Sequence, residues 1–464
     1  MGSTSASYVS FVVQPNGNDL NGGAFDPDYE STGTDASQDD DPIVIVDGSS
    51  ITCSIISRNT LELDGYDVQT SDIGNCFLGQ MDDSATSYVQ SGPITSIDTS
   101  NNRWNFGSQA WQYYTATEFT SGRLGGALAT PGGLTIPGST NCRLGAYANC
   151  YIKASTYTMT SSDLESGGRI KPTEEGFSLI AYKNAPGDHL DYPEDRAIID
   201  TGSTSNNSDG VIYYPGTRIG YCIGLDLRGN STWNLAYQYR LSCYNCVAKD
   251  FLNTGFSTAS TASNFSCRAE NCGSGSDTQK GFGEGTHVEC IAIDCEPYGF
   301  CDFGSAVRCA AHGGTFGFGL GSYAHALNCI ADGQSNTGFY VRSTRSRTTG
   351  SVAINCATGA SARGGSGEGN AYYNNTTNIS ASSEDPYETS GHLQLTADPF
   401  NDAANQDYTI NGDSGGGAEL AERSPKWGAG VSVDGPQQQQ SAQLKSSSGG
   451  STTVVTPGPV QIGM

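Results

Sequence analysis

The side chains best placed to exchange protons lie in one short stretch: Glu284, Glu289, Glu296 and Asp302, with His287 among them. Glycoside hydrolysis needs two carboxylates about 5 Å or about 6.5–9.5 Å apart, and acids facing outward from neighbouring strands could meet either spacing. An acidic solvent face on an acidic protein accounts for the same residues without chemistry, and that is the reading preferred. His312 and His325 are expected at turns, as surface histidines. Arg342, Arg345 and Arg347 form the one basic cluster, expected on a bulging loop that pairs with acidic groups of a neighbouring subunit. Cys243 and Cys246 make a lone C-x-x-C pair; a zinc site would need a second pair nearby. No catalytic, cofactor-binding or metal-ligating residue is assigned, no cofactor is expected, and the balance is against an enzyme.

The elements that would position these residues follow from a repeat. Cys222, Cys246, Cys267, Cys290, Cys309 and Cys329 each open a Cys-x-small-x-Asp/Asn/Gly unit of about 20 residues, and Cys356 continues the column with Cys-Ala-Thr-Gly359. A second column runs in step: Gly255-Phe256, Gly281-Phe282, Gly299-Phe300, Gly317-Phe318 and Gly338-Phe339. Two phase-locked columns mark a solenoid. Within a unit the alternation has period 2 (Cys290, Ala292 and Asp294 against Ile291 and Ile293), which means strands. Neither a Leu scaffold nor a long apolar helical stripe is present. The expected fold is all-β: a right-handed parallel β-helix of three short strands and three turns per coil. Gly and Asn/Asp supply corners with positive φ, and the Cys and Phe columns point inward as ladders. Cysteine packs well as a small apolar side chain, and parallel in-register side chains suit disulfide torsions poorly. Free stacked thiols are therefore expected, with any disulfides at Cys243, Cys272, Cys295 or Cys301.

Composition agrees. Apolar residues make up 36 % and glycine 61 of 464, as in a narrow core column with many turns. The net charge of −25 argues against a phosphate-tracking groove, so nucleic acid is not an expected partner. No segment approaches the ~20 apolar residues of a membrane span. The opening Met-Gly-Ser-Thr-Ser-Ala-Ser has no basic or apolar leader character, and Ala6 stands where a myristoylation motif takes Ser or Thr, so neither export signal nor lipid anchor is expected. Triplets of the N-x-Ser/Thr type at Asn206, Asn230, Asn264, Asn374, Asn375 and Asn378 are expected by chance in so Asn-, Ser- and Thr-rich a chain.

Four regions are expected: 1–120 as an irregular N-terminal cap or attachment region, 121–395 as the β-helix, 396–436 as a C-terminal cap, and 437–464 as a low-complexity tail that binds a subunit or particle. Strands are read at Tyr8–Val13, Ile43–Val46, Ile51–Ile56 and Tyr88–Ile97, and Cys150–Thr158 with Phe177–Tyr182 as the first coils. A short helix over 123–131 is expected to close the end of the solenoid. Asp39-Asp40-Asp41 is read as a solvated loop without EF-hand spacing.

Six segments, in order, resemble a pectate-lyase-like right-handed parallel β-helix family: Phe11–Gly23, Ser71–Gly74, Arg123–Gly132, Tyr151–Thr160, Ala181–Asp188 with Arg196–Asp200, and Asp398–Asn405. Members occur in bacteria and in phage virions, mostly without assigned activity. The resemblance implies the fold and carries over no catalytic residue. Related polygalacturonases have an Arg-Ile-Lys motif, but Arg169-Ile-Lys171 precedes every coil that could hold the accompanying motifs. The expected function is a structural virion protein: a β-helix spike, fibre or capsid-surface decoration, non-enzymatic, and a homotrimer joined to other virion proteins through its N-terminal region or tail. The alternatives are a polysaccharide lyase or hydrolase acting on a surface glycan, and a non-catalytic glycan-binding protein at the cell surface.

Overall fold

The computed structural model describes residues 10–25, 43–46, 51–81, 88–107, 118–134, 143, 148–159, 170, 176–184, 188, 190–191, 194–202, 206–214, 219–230, 233–273, 279–381, 388–411 and 415–423. It is a parallel β-helix. Three sheets of thirteen, eleven and nine strands among these residues run along the solenoid, each strand pairing in parallel with its counterpart one coil away except Ala24–Phe25, which joins the edge of the first sheet antiparallel to Ser10–Val13. The first sheet holds Leu241–Tyr244, Ser263–Phe265 and Thr286–Val288; the second Val247–Lys249, Arg268–Glu270 and Ile291–Ile293; the third Thr254–Thr258, Lys280–Phe282 and Tyr298–Cys301.

One residue makes each corner on either side of the second sheet. Before it stand Asn245, Ser266, Glu289, Arg308, Asn328, Gly350 and Gly369; after it stand Asp250, Asn271, Asp294, Gly313, Gly333, Asn355 and Asn374, all with φ of 49–74°. Asn, Asp and Gly tolerate this left-handed region best. The next side chain then points inward. At the first corner these are Cys246, Cys267, Cys290, Cys309, Cys329, Ser351 and Asn370; at the second, Cys272, Cys295, Gln334, Cys356 and Asn375.

These inward groups hydrogen-bond the coil before. The thiols of Cys267, Cys290 and Cys329 each donate at 3.3 Å to the carbonyls of Cys243, Asn264 and Ala306. Ser351 Oγ repeats the contact to Ala326 at 3.4 Å. The cysteine pattern thus divides among three columns, which corrects the single column expected. Cys222 lies inside the first sheet opposite Cys243, and Cys356 belongs to the second corner. Ser351, 22 residues after Cys329, takes its place at the first.

The third sheet carries the glycine–phenylalanine column as expected. Successive rings from Tyr237 through Phe256, Phe282, Phe300 and Phe318 stack at 4.7 Å, the spacing of the strands that bear them. The glycines are a packing requirement. A Cβ on Gly299 would lie 2.9 Å from Gly317 O and 3.0 Å from Ala311 Cβ. The small residue within each cysteine unit is the wall that these glycines approach.

Ser10–Val13 is already a rung of the first sheet, pairing in parallel with Asn149–Lys153. Between these two rungs the chain builds a seven-stranded antiparallel sheet from Ile43–Val46 to Glu118–Leu124, with its own core around Leu61, Phe77, Trp104 and Phe119. The expected helix over 123–131 is absent. Glu118–Leu124 is a strand, Leu128 bridges Val13, and only Pro131–Leu134 turns, as a 3₁₀ helix. Leu128 and Leu134 pack into the solenoid core. At the other end Leu395, Phe400, Tyr408 and Leu420 fold back over the outer face of the second sheet, covering Ile291, Ile293, Ile330, Val352 and Ile354.

Candidate functional site

The acidic group of the sequence does not assemble, because its members occupy different corners of the coil. His287 points into the core. Its Nε2 lies 2.8 Å from Gly283 O and its Nδ1 3.1 Å from Asn264 Nδ2, and the rings of Phe282, Phe300 and Phe303 surround it. Burial lowers its pKa and keeps it neutral. Glu289 is a corner residue paired with Arg308. Glu296, on the turn between the second and third sheets, accepts from Thr315 Oγ1 at 2.6 Å. Glu284 and Asp302 alone reach the outer side of the third sheet.

There they join residues that the sequence reading passed over. An open cleft of about 260 Å³ is lined by Gln238, Tyr239, Ser257, Ala259, Lys280 and Glu284. Tyr239, with φ of 69°, is 46 % exposed and presents its ring at the rim. Next along the stack, Asp302 is held by Arg342 and lies 3.8 Å from Lys280 Nζ. Arg342 also sits 5.8 Å above the ring of Tyr298, which stacks on Phe316 at 4.9 Å; Phe316 in turn meets Tyr340 at 5.4 Å. Burial first, then the Asp302 charge, pushes the Cys301 thiol up to about 12, so it is no nucleophile near neutral pH. Lys280, Tyr298 and Phe316 are the residues just before three of the five glycines of the Gly–Phe column, Thr254 and Thr337 preceding the other two. That position was visible in the repeat but had no assigned face.

The arginine cluster is likewise split. Arg342 serves the third sheet, Arg345 stacks on Tyr323 at 5.0 Å, and Arg347 is in the first sheet beside His325. His312 and His325 are in strands, Ala310–His312 and His325–Leu327, not at turns. His312 Nδ1 lies 3.0 Å from Asp332 Oδ2 and 2.9 Å from the hydroxyl of Tyr408, which donates to Asp332 Oδ2 at 3.1 Å. The hydrogen bond to Asp332 raises the His312 pKa. Because Tyr408 comes from the folded-back segment, this network fastens that segment to the second sheet.

Fourteen of the fifteen cysteines are described, and all are buried free thiols, so no disulfide forms among Cys243, Cys272, Cys295 and Cys301. Burial pushes the thiols of Cys243, Cys267, Cys290 and Cys329 well above the ordinary range. Asn264, Asn374 and Asn375, taken from the N-x-Ser/Thr triplets, have structural partners: Asn375 Nδ2 donates to Ala353 O and its Oδ1 accepts from Cys356 N, both at 2.9 Å. Arg169, Lys171, Asp39–Asp41 and the tail from 424 lie outside the described residues.

The coils and ladders define a parallel β-helix protein. No protein-family model matches the chain, and no curated protein matches it in sequence. Solved structures of similar fold include Geobacillus virus E2 ORF18, at 11 % identity and a TM-score of 0.35 over 53 % of this chain and 52 % of that one. A pectate lyase follows at 14 % identity and 0.31, over 54 % and 69 %. The A-module of an Azotobacter vinelandii mannuronan C-5 epimerase stands at 10 % and 0.30, over 53 % and 86 %. The matched part thus spans about half the length of the viral chain.

Proposed function

We propose that this chain is a structural component of a phage-like particle, a β-helix spike, fibre or surface decoration. The observation that carries the reading is the buried free-thiol core. Thiols stacked at successive corners suit a protein that folds and assembles in a reducing compartment, because an oxidising one favours disulfides. The pairing of Asp302 with Arg342, two coils apart, and of Glu289 with Arg308 on adjacent coils supports the same reading, since these carboxylates tie coils together. Gradient purification of particles from the producing culture, followed by peptide mass spectrometry, tests it. The chain should co-sediment with capsid and tail proteins at a fixed ratio; recovery only in the particle-free fraction would contradict it.

A second reading rests on the cleft. An exposed tyrosine ring, a lysine, a glutamate, a serine and a glutamine around about 260 Å³ form a combination able to hold one pyranose unit of a surface glycan. Binding of surface polysaccharide fragments, followed by titration and repeated with Tyr239→Ala and Lys280→Ala, tests this. Loss of binding in both variants supports it, and release of reducing or unsaturated ends would make the cleft an active site.

A further inference from the structure

The turns between the third and first sheets stack into one corner of the solenoid, and two coils of that corner are basic. Leu320, Val341 and Ala362 lie in register on successive rungs, and the chain turns after each of them. The turn after Val341 carries Arg342 and Arg345, and the turn after Ala362 carries Arg363. Arg347 begins the rung that follows, in register with His325. All four arginines are exposed. From Leu320 to Gly367 the sequence holds one acid, Asp332, and that carboxylate is buried in the network with Tyr408. Arg342 is tied to Asp302; among the described residues no carboxylate pairs with Arg345, Arg347 or Arg363. In a chain with 48 acidic and 23 basic residues, this corner reverses the overall balance.

The turn after Leu320 supplies Tyr323. Its side chain is 64 % exposed and its φ is 64°. That is the left-handed region, where a bulky residue is strained and glycine is not. A tyrosine in such a position costs stability, and strained positions of this kind cluster at ligand sites. Arg345 lies 5.0 Å from the centroid of the ring and donates to the Tyr323 hydroxyl, so ring and guanidinium present one combined surface.

We propose that this corner binds an acidic saccharide, the arginine forks taking its carboxylates and the Tyr323 ring taking the face of a sugar. The limits of the patch select the ligand. Glu284 and Asp302 stand on the coils before it, and Glu368 stands at the end of the rung after Arg363, in register with Thr349. A polymer charged at every unit, such as a nucleic acid, would run onto like charge in both directions. A glycan with carboxylates at intervals meets the arginines and spares the flanks. The site is separate from the cleft at Tyr239 and Lys280, and the inference rests on neither the cleft nor the particle reading.

The test is calorimetric titration of the full chain with hyaluronan and polysialic acid fragments, with dextran as the neutral control. At least one acidic glycan should bind, dextran should not, and added salt should weaken the binding. Arg345→Gln with Arg347→Gln should lower the affinity about tenfold or more. Arg58→Gln, in a turn of the antiparallel sheet, should leave it unchanged. Tyr323→Gly separates binding from folding. Glycine relieves the backbone there, so this variant should melt no earlier than wild type and yet bind more weakly. Binding of neither acidic glycan, equal binding of dextran sulfate or single-stranded DNA, or full affinity in the double-arginine variant would overturn the proposal. Loss of binding in Tyr239→Ala, with the double-arginine variant at full affinity, would overturn it too and give the acidic glycan to the cleft.

Discussion

The thiol of Cys309 donates to His287 O at 3.4 Å and to Val307 O at 3.5 Å, and Ser351 makes the equivalent pair of contacts two coils on. A small side chain with one donor is what this corner requires. Cys309→Ser should therefore melt within ~1 kcal/mol of wild type, whereas Cys309→Ala, which removes the donor and leaves a small void, should cost about 1–2 kcal/mol. Chemical denaturation of both variants checks the order. Gly299 makes the opposite demand. Its added methyl would press on Gly317 O and Ala311 Cβ, both backbone or rigid neighbours. Gly299→Ala should cost about 1–3 kcal/mol by overpacking, measured in the same way; an unchanged midpoint would mean that the column is looser than described.

Among the elements, the folded-back segment should respond to pH. His312 faces Asp332 and the Tyr408 hydroxyl, with Asp294 nearby, and Asp332 holds its pKa above the usual 6.5. A folded-state value above the unfolded one means that the charged imidazole contributes fully below pH about 6.5, and that the contribution is lost as pH rises through the folded value. Burial raises the Asp398 carboxyl, which acts in the same direction. Hydrogen exchange over 398–410, corrected for intrinsic rate, should show stronger protection at pH 5.5 than at pH 8, and His312→Gln should flatten the difference. Little of this element was legible in the sequence. Ile291 and Ile330 follow cysteines and Val352 follows Ser351 in strand-like alternation, and nothing local says that their face is roofed by residues about 40 to 130 positions later. The Gly–Phe column was legible because five successive coils repeat the same Gly-Phe pair, while its ends, Tyr237 and Ala360, were not. The Cys column was misjoined at Cys222 and Cys356 because three inward columns use the same residue type. The acidic group could be weighed as a site, against the preferred reading of a solvent face, because spacing along the chain does not reveal where on the coil each residue falls.

At the scale of the molecule, the reactive residue types are spent on the stack: thiols at corners, His287 in the core, and carboxylates in pairs between coils. Among the described residues, the cleft at Tyr239 and Lys280 is an outward feature that the stack does not account for. The account of a rod matured with reduced cysteines can be checked by counting thiols with an aromatic disulfide reagent, in buffer and then in denaturant. It predicts at most one fast-reacting group in the native chain, since fourteen of the fifteen cysteines are buried and free, and all fifteen after unfolding without reductant. Several fast native thiols, or fewer than fifteen in denaturant, would contradict it.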